Sequence, residues 1–206
     1  MSFDGITLFA VTKELNESLS GARAQKVYQI GSDQIVISFR TINGETKLLI
    51  SSNPVNCRVH ITSAPHENPL SPPMFCMLLR KYIIGGKVTS IFQPGLERII
   101  EITVQNNDEF MRPAEYKLIA EIMGKHSNII LIDSQKDMII DSIKRVSSEI
   151  NRIRQILPGI IYTCPPSDRK ISLLDNDSKM DIKENLIKDV RGHVAKTISK
   201  WLLDNI

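Results

Sequence analysis

The chain has 206 residues, 42% apolar and 24% charged, and a formal net charge of only +3. Such a chain can bury a core without staples, reads as a globular water-soluble protein, and has room for one domain plus the beginning of another. The weak net charge excludes a uniformly basic nucleic-acid binder, so any such surface is a local patch.

In chain order, Asp4 precedes Ile6, Leu8, Phe9, Leu15 and Leu19, which predicts an N-capped amphipathic helix over about 4–20, ending near Gly21. Lys26–Ile30 and Gln34–Phe39 flank Gly31-Ser32-Asp33, a hairpin signal. Asn43-Gly44 predicts the next turn and Lys47–Ile50 the next strand. Arg58–Thr62 alternates, so Val59 and Ile61 face inward. A proline-rich loop (Pro65, Pro69, Pro72, Pro73) opens into a short buried helix over about 72–84, closed by Gly85-Gly86, with Arg80 and Lys81 in its final turns where the dipole favours cations. Strands follow at Lys87–Phe92 and Arg98–Val104, then a hairpin of Tyr116–Ala120 and Ile129–Asp133, and a further strand over Met138–Val146. From Asp181 the spacing of Ile182, Leu186, Ile187, Val190, Val194 and Ile198 is helical. The pattern stops without a cap, so the sequence reads as a piece of something longer. The expected class is α+β, a β-sandwich with flanking helices.

Several chemistries are unsupported. There is no Gly-rich phosphate loop, His-Glu-x-x-His or Gly-x-Ser-x-Gly, and His60, His66, His126 and His193 lack metal-ligand spacing. Neither an enzyme nor a cofactor is expected. Cys57, Cys76 and Cys164 form no Cys-x-x-Cys pair, which fits a reducing compartment. Met1–Gly5 has no basic n-region, and no apolar run nears the ~20 residues of a membrane span, so the cytoplasm is the expected location and no membrane partner is expected.

Three features remain as candidate contacts. Glu97-Arg98 stands where a strand begins; the plain reading is a solvated turn, the functional one a guanidinium that stacks on a base or forks onto phosphate, beside an acceptor for base amino groups. In Glu121-Ile122-Met123-Gly124-Lys125-His126-Ser127-Asn128 a solvated hairpin is the plain reading, yet Lys125, His126, Ser127 and Asn128 would place donors at a loop tip beyond what a turn needs, with Glu121 at the end of the incoming strand. Asp4 is explained by a helix cap. Aromatic residues make up 5% of the chain and do not interleave with basic ones, so no broad stacking platform is indicated.

Met1–Gly5, Arg58–Thr62, Asn68-Pro69, Pro72–Lys81, Gly95–Ile100, Glu121–Leu131 and Leu157-Pro158-Gly159 together resemble, in order, the N-terminal domain of the NFACT family. Its bacterial members are called RqcH or fibronectin-binding protein, and its eukaryotic relatives include NEMF and Caliban. The resemblance implies a ribosome quality-control factor. Such a factor binds a large ribosomal subunit carrying stalled peptidyl-tRNA and recruits tRNA, with alanine in bacteria, for mRNA-independent tailing of the nascent chain. It implies a family domain over 1–170, with a linker and the first helix of a helix-hairpin-helix region over 171–206. Glu97 and Arg98 match the family's acidic-arginine pair implicated in tRNA binding, with Glu where Asp is usual. Glu121 and Ile122 match a second such position, and Asp4 an N-terminal acid. Lys125, His126 and Asn128 join the expected tRNA surface as donors of the hairpin tip, which the resemblance sets beside the Glu97-Arg98 strand entrance. The family domain also resembles the N-terminal domain of formamidopyrimidine-DNA glycosylases. Those enzymes need an N-terminal Pro-Glu, and Ser2 and Phe3 stand there, so base excision is not expected. The older family name leaves fibronectin or fibrinogen as an alternative partner.

Overall fold

The computed structural model describes residues 3–64 and 71–166. The helix expected from Asp181 and the boundary at 170/171 lie outside the described residues, as do His66, Asn68 and His193.

Helix α1 spans Gly5–Leu19, capped by the Asp4 carboxylate, which accepts from the Thr7 amide at 2.8 Å. Its buried stripe is Leu8, Thr12, Leu15 and Leu19, one face at 3.6-residue spacing, while Ile6 and Phe9 face solvent. Strands β1 (Arg23–Ile30), β2 (Gln34–Thr41), β3 (Gly44–Ser51) and β4 (Arg58–Thr62) follow as an antiparallel meander. Helix α2 (Met74–Ile83) buries Phe75, Cys76, Leu79 and Ile83. Arg80, in its last turn, donates from Nε to the Val27 carbonyl at 2.9 Å, which fastens the helix to β1. A second meander completes the chain: β5 (Lys87–Phe92), β6 (Ile99–Asn107), β7 (Pro113–Glu121), β8 (Asn128–Asp133) and β9 (Met138–Ser142).

The expected sandwich is replaced by one open nine-stranded sheet of order β4-β3-β2-β1-β5-β6-β7-β8-β9. The physical reason is a narrow seam. β1 and β5 share a single register pair, Arg23↔Lys87, extended by backbone bonds between Gly21 and Val88, Ala22 and Val88, and Ala24 with both Gly85 and Gly86. Those few bonds convert two meanders into one sheet. The main core lies on one face: α1 and α2 pack against Ile35, Ile37, Phe39, Leu48 and Ile50 of the first meander and Ile100, Ile102, Leu118, Ala120, Ile129 and Leu131 of the second.

The strand expected over 138–146 ends at Ser142, and the described segment 143–166 carries only isolated bridges, Val146↔Ile156 and Met138↔Ile161. It nevertheless covers the opposite face. Ile99, Ile119, Ile130, Ile132 and Ile139 form a second core there with Ile156, and Val146 and Tyr162 pack on it. β8 is therefore buried on both faces, which is why Asn128–Ile132 reads as an unbroken buried run rather than an alternation.

Candidate nucleic-acid interface

The sequence-predicted residues meet at one end of the sheet. β6 starts there, β7 ends there and β8 starts there, and the amide of Ile122 donates to the carbonyl of Arg98 at 2.8 Å, tying the two motifs together. The N-terminus of α1 joins them. Gly5 lies so close to the turn before β6 that a Cβ would stand 1.9 Å from the Leu96 carbonyl oxygen, a contact that only glycine permits. Gln93, buried beneath, donates from Nε2 to the Gly5 carbonyl at 2.9 Å and the Glu97 carbonyl at 2.8 Å, and the Glu97 amide closes the turn onto Pro94 at 2.9 Å. Asp4, Glu97 and Arg98 are thus held on one rigid corner, with Arg98 exposed and Glu97 half-buried.

The 121–128 connection is a 3-10 turn over Gly124–His126, with Gly124 at φ 60° in the left-handed region. Lys125 and His126 are exposed on it. Ser127 and Asn128 are not tip donors: both are buried, because their side chains satisfy backbone that the turn leaves unpaired. Ser127 Oγ accepts from the Met123 amide at 2.8 Å. Asn128 donates to the Lys144 carbonyl at 2.7 Å and accepts from the amides of Ile129 at 2.9 Å and Lys144 at 3.1 Å. The Lys144 ammonium bonds the carbonyls of Ser52 and Ser127, which joins the β3–β4 loop to this tip. Burial pulls its pKa down from the usual lysine value, with Asp33 and then Cys57 acting the other way.

Alternation along β7 decides the fate of the second pair. Ile122 points into the main core and is 0% exposed; Glu121 points to the opposite face and is 1% exposed. Its carboxylate receives Arg154 Nη2 at 2.5 Å and the Tyr162 hydroxyl at 2.9 Å on Oε1, and Arg154 Nη1 at 3.0 Å on Oε2. Arg154 also donates from Nε to the Thr163 carbonyl at 2.6 Å, and its guanidinium lies over the Tyr162 ring, 5.2 Å from the centroid. Burial works against the Arg154 charge, but the hydrogen bonds and charge of Glu121 outweigh it and hold its pKa above the ordinary arginine value. Burial, then the Glu121 charge, pushes the Tyr162 hydroxyl far up, so it stays protonated and donates. Sequence reading missed Arg154, Tyr162, Lys144 and Gln93. The one available signal was an acid ending a run of buried strand, which must find a partner.

Exposed cations stand on the segments that form this end or are bonded to it. Arg98, Lys125 and Arg152 have no ion-pair partner among the described residues, while Arg145 is exposed but held by buried Asp141 through bonds of 2.9 and 3.0 Å. Among the described residues, no group of three or more His, Cys, Asp and Glu could hold a metal ion, and no helix is long and apolar enough to cross a membrane.

Residues 4–205 match the family model described as NFACT N-terminal and middle domains. The chain is 44% identical over 186 residues to the Rqc2 homolog RqcH of Bacillus subtilis, covering 90% of this chain and 32% of that protein. It is 30% identical over 131 residues to the human ribosome quality control complex subunit NEMF, covering 64% of this chain and 11% of the relative. Among solved structures, the N-terminal part of the fibronectin/fibrinogen-binding protein of Streptococcus suis superposes with a TM-score of 0.84 at 40% identity, covering 88% of this chain and 68% of that one. The chain thus spans about a third, or less, of the length of the curated relatives it matches.

Proposed function

From the premise that the chain belongs to the family of NFACT N-terminal and middle domains, we propose that it is the tRNA-holding module of a ribosome quality-control factor, without chemistry of its own. The observation that carries this reading is the junction at the sheet end. Three stretches far apart in sequence, Asp4-Gly5, Glu97-Arg98 and Glu121–Asn128, are fastened together by backbone bonds and close packing, and the corner they build exposes Arg98, Lys125 and His126. Arg98 and Lys125, unpaired among the described residues and set on a rigid frame, suit phosphate, and the Arg98 guanidinium also suits a splayed base. The partners on this reading are tRNA and a large ribosomal subunit with peptidyl-tRNA, and the peptide bond is made by the ribosome. Alanine tRNA is the expected cargo in a bacterial setting.

The test is binding of labelled alanine tRNA and an unrelated tRNA to the 206-residue chain at two salt concentrations, wild type beside Arg98→Ala. Weaker binding by Arg98→Ala, with its melting temperature unchanged, supports the reading, since an exposed arginine contributes little to folding. Equal affinity for tRNA in both proteins refutes it. A second reading, binding of fibronectin or fibrinogen, is favoured by the name of the Streptococcus suis protein. Capture of the chain on immobilised fibronectin, unaffected by excess tRNA, would support that instead.

A further inference from the structure

Resting on the tRNA reading above, we propose that the turn Ser147–Ile153 is a second RNA contact of the same site, and that Glu121 is the positioning residue that holds it rather than an RNA contact itself. The carboxylate of Glu121 is covered on every side: both oxygens are occupied by Arg154 and Tyr162, and no RNA donor can reach a group 1% exposed. The Arg154 side chain is only 10% exposed and its charge is matched by Glu121, so it is withheld from phosphate as well. What the pair does is mechanical. It anchors one limb of a closed turn to the end of β7, at the ladder position paired with Ile99 and next to the residue bonded to Arg98.

The turn is built to keep its shape. Val146 and Ile156 exchange backbone bonds of 3.0 and 2.9 Å at its base. The Ile150 and Asn151 amides both donate to the Ser147 carbonyl, at 3.1 and 2.9 Å. Asn151 Oδ1 accepts from the amides of Ile153 and Arg154 at 2.9 and 3.2 Å, which leads the chain directly into the anchor. On this frame Arg152 is exposed, flanked by Ile150 and Ile153 at 72% and 87% exposure. Nothing in the protein uses these three side chains among the described residues. Their chemistry, an unpaired cation between two exposed aliphatic side chains, suits a phosphate with its adjoining sugar, and the turn is anchored through Arg154 and Glu121 beside the corner that carries Arg98. Glu149, the exposed acid on the same turn, works against an anionic partner, so contact falls on the Arg152 side.

The experiment measures alanine tRNA affinity of the 206-residue chain against salt for Arg152→Ala, Glu121→Gln, Arg154→Lys and the double variant, together with amide hydrogen exchange of the turn. Arg152→Ala is expected to flatten the salt slope by about one unit with the melting temperature unchanged. Glu121→Gln and Arg154→Lys are expected to speed exchange at Ile150–Arg154, and to weaken binding non-additively, the double variant being no worse than the weaker single. A flatter salt slope in Glu121→Gln separates loss of the Arg152 contact from a general loss of folded protein. If Glu121→Gln weakens binding with exchange in the turn unchanged, Glu121 touches RNA and the proposal is overturned. An unchanged slope in Arg152→Ala, where Arg98→Ala still weakens binding, overturns the second contact alone. If Arg98→Ala has no effect either, the tRNA reading falls and takes this one with it.

Discussion

Replacing Gly5 with alanine tests whether the corner that carries Arg98 depends on a close approach of two backbones. The added methyl would stand 1.9 Å from the Leu96 carbonyl oxygen. Carbon and oxygen settle at about 3.3–3.6 Å, so α1 and the turn before β6 must part by roughly 1.5 Å. Overpacking of this kind costs about 1–3 kcal/mol. The helix preference of alanine over glycine returns at most about 1 kcal/mol, and less at the first helical position. Parting also stretches the 2.9 Å bond from Gln93 to the Gly5 carbonyl, a further ~0.5–1.5 kcal/mol. The balance is a loss of about 0.5–4.5 kcal/mol, which in a chain of this size lowers the melting temperature by about 2–4 °C per kcal/mol. Thermal and urea unfolding followed by circular dichroism read this directly, with the m-value unchanged. Because Glu97 and Arg98 ride on the displaced turn, tRNA affinity should fall further than the folded fraction does. A melting temperature equal to wild type or higher would refute the reasoning, since the two backbones would then not be in contact.

Tyr162→Phe removes the 2.9 Å bond to the buried Glu121 carboxylate, with an expected loss of about 1.5–3 kcal/mol in urea unfolding. Asp4→Ala removes the cap on the Thr7 amide and should cost about 0.5–2 kcal/mol, most of it regained in Asp4→Ser. Burial first, then the Arg58 charge, hold His60 below its ordinary value of 6.5, against a smaller upward pull from Glu14. The unfolded chain therefore takes up that proton first, so stability is lost as pH falls through and below 6.5, and urea midpoints of His60→Gln should decline less over that interval.

The local elements were legible because their signals are local. Gly31-Ser32-Asp33 does separate two hairpin strands, Asn43-Gly44 does mark the next turn, with Gly44 opening β3, β5 begins and ends where its residues indicated, and Gly85, with φ of 83°, follows α2. The joining of the two meanders was not legible, since it rests on Arg23 meeting Lys87 across 64 positions, with no periodicity to announce it. The same holds for the site. Arg98, Lys125 and His126 stand out as polar residues at turns. Ser127 and Asn128 look identical to them in sequence, and only the count of unsatisfied backbone groups around Gly124 turns them inward. Arg154 and Tyr162 lie 33 and 41 residues from Glu121 in a segment without pattern, and nothing in their spacing marks them as its partners.

The narrow seam between β1 and β5 has a consequence for how the molecule opens. Each meander is wired almost wholly by neighbouring hairpins, so its amides form a cooperative unit that can assemble and exchange on its own account. Between the units the backbone offers only a short zipper, and cohesion falls to side chains: α1 touches β2 and β4 on one side and β5 and β6 on the other, and α2 touches β1 on one side and β6 and β9 on the other. The helices are the staples of a sheet whose own hydrogen bonds nearly stop at its middle. Hydrogen exchange should report a softer line through the amides of Gly21, Ala24, Gly85 and Val88 than through the strands on either side of it.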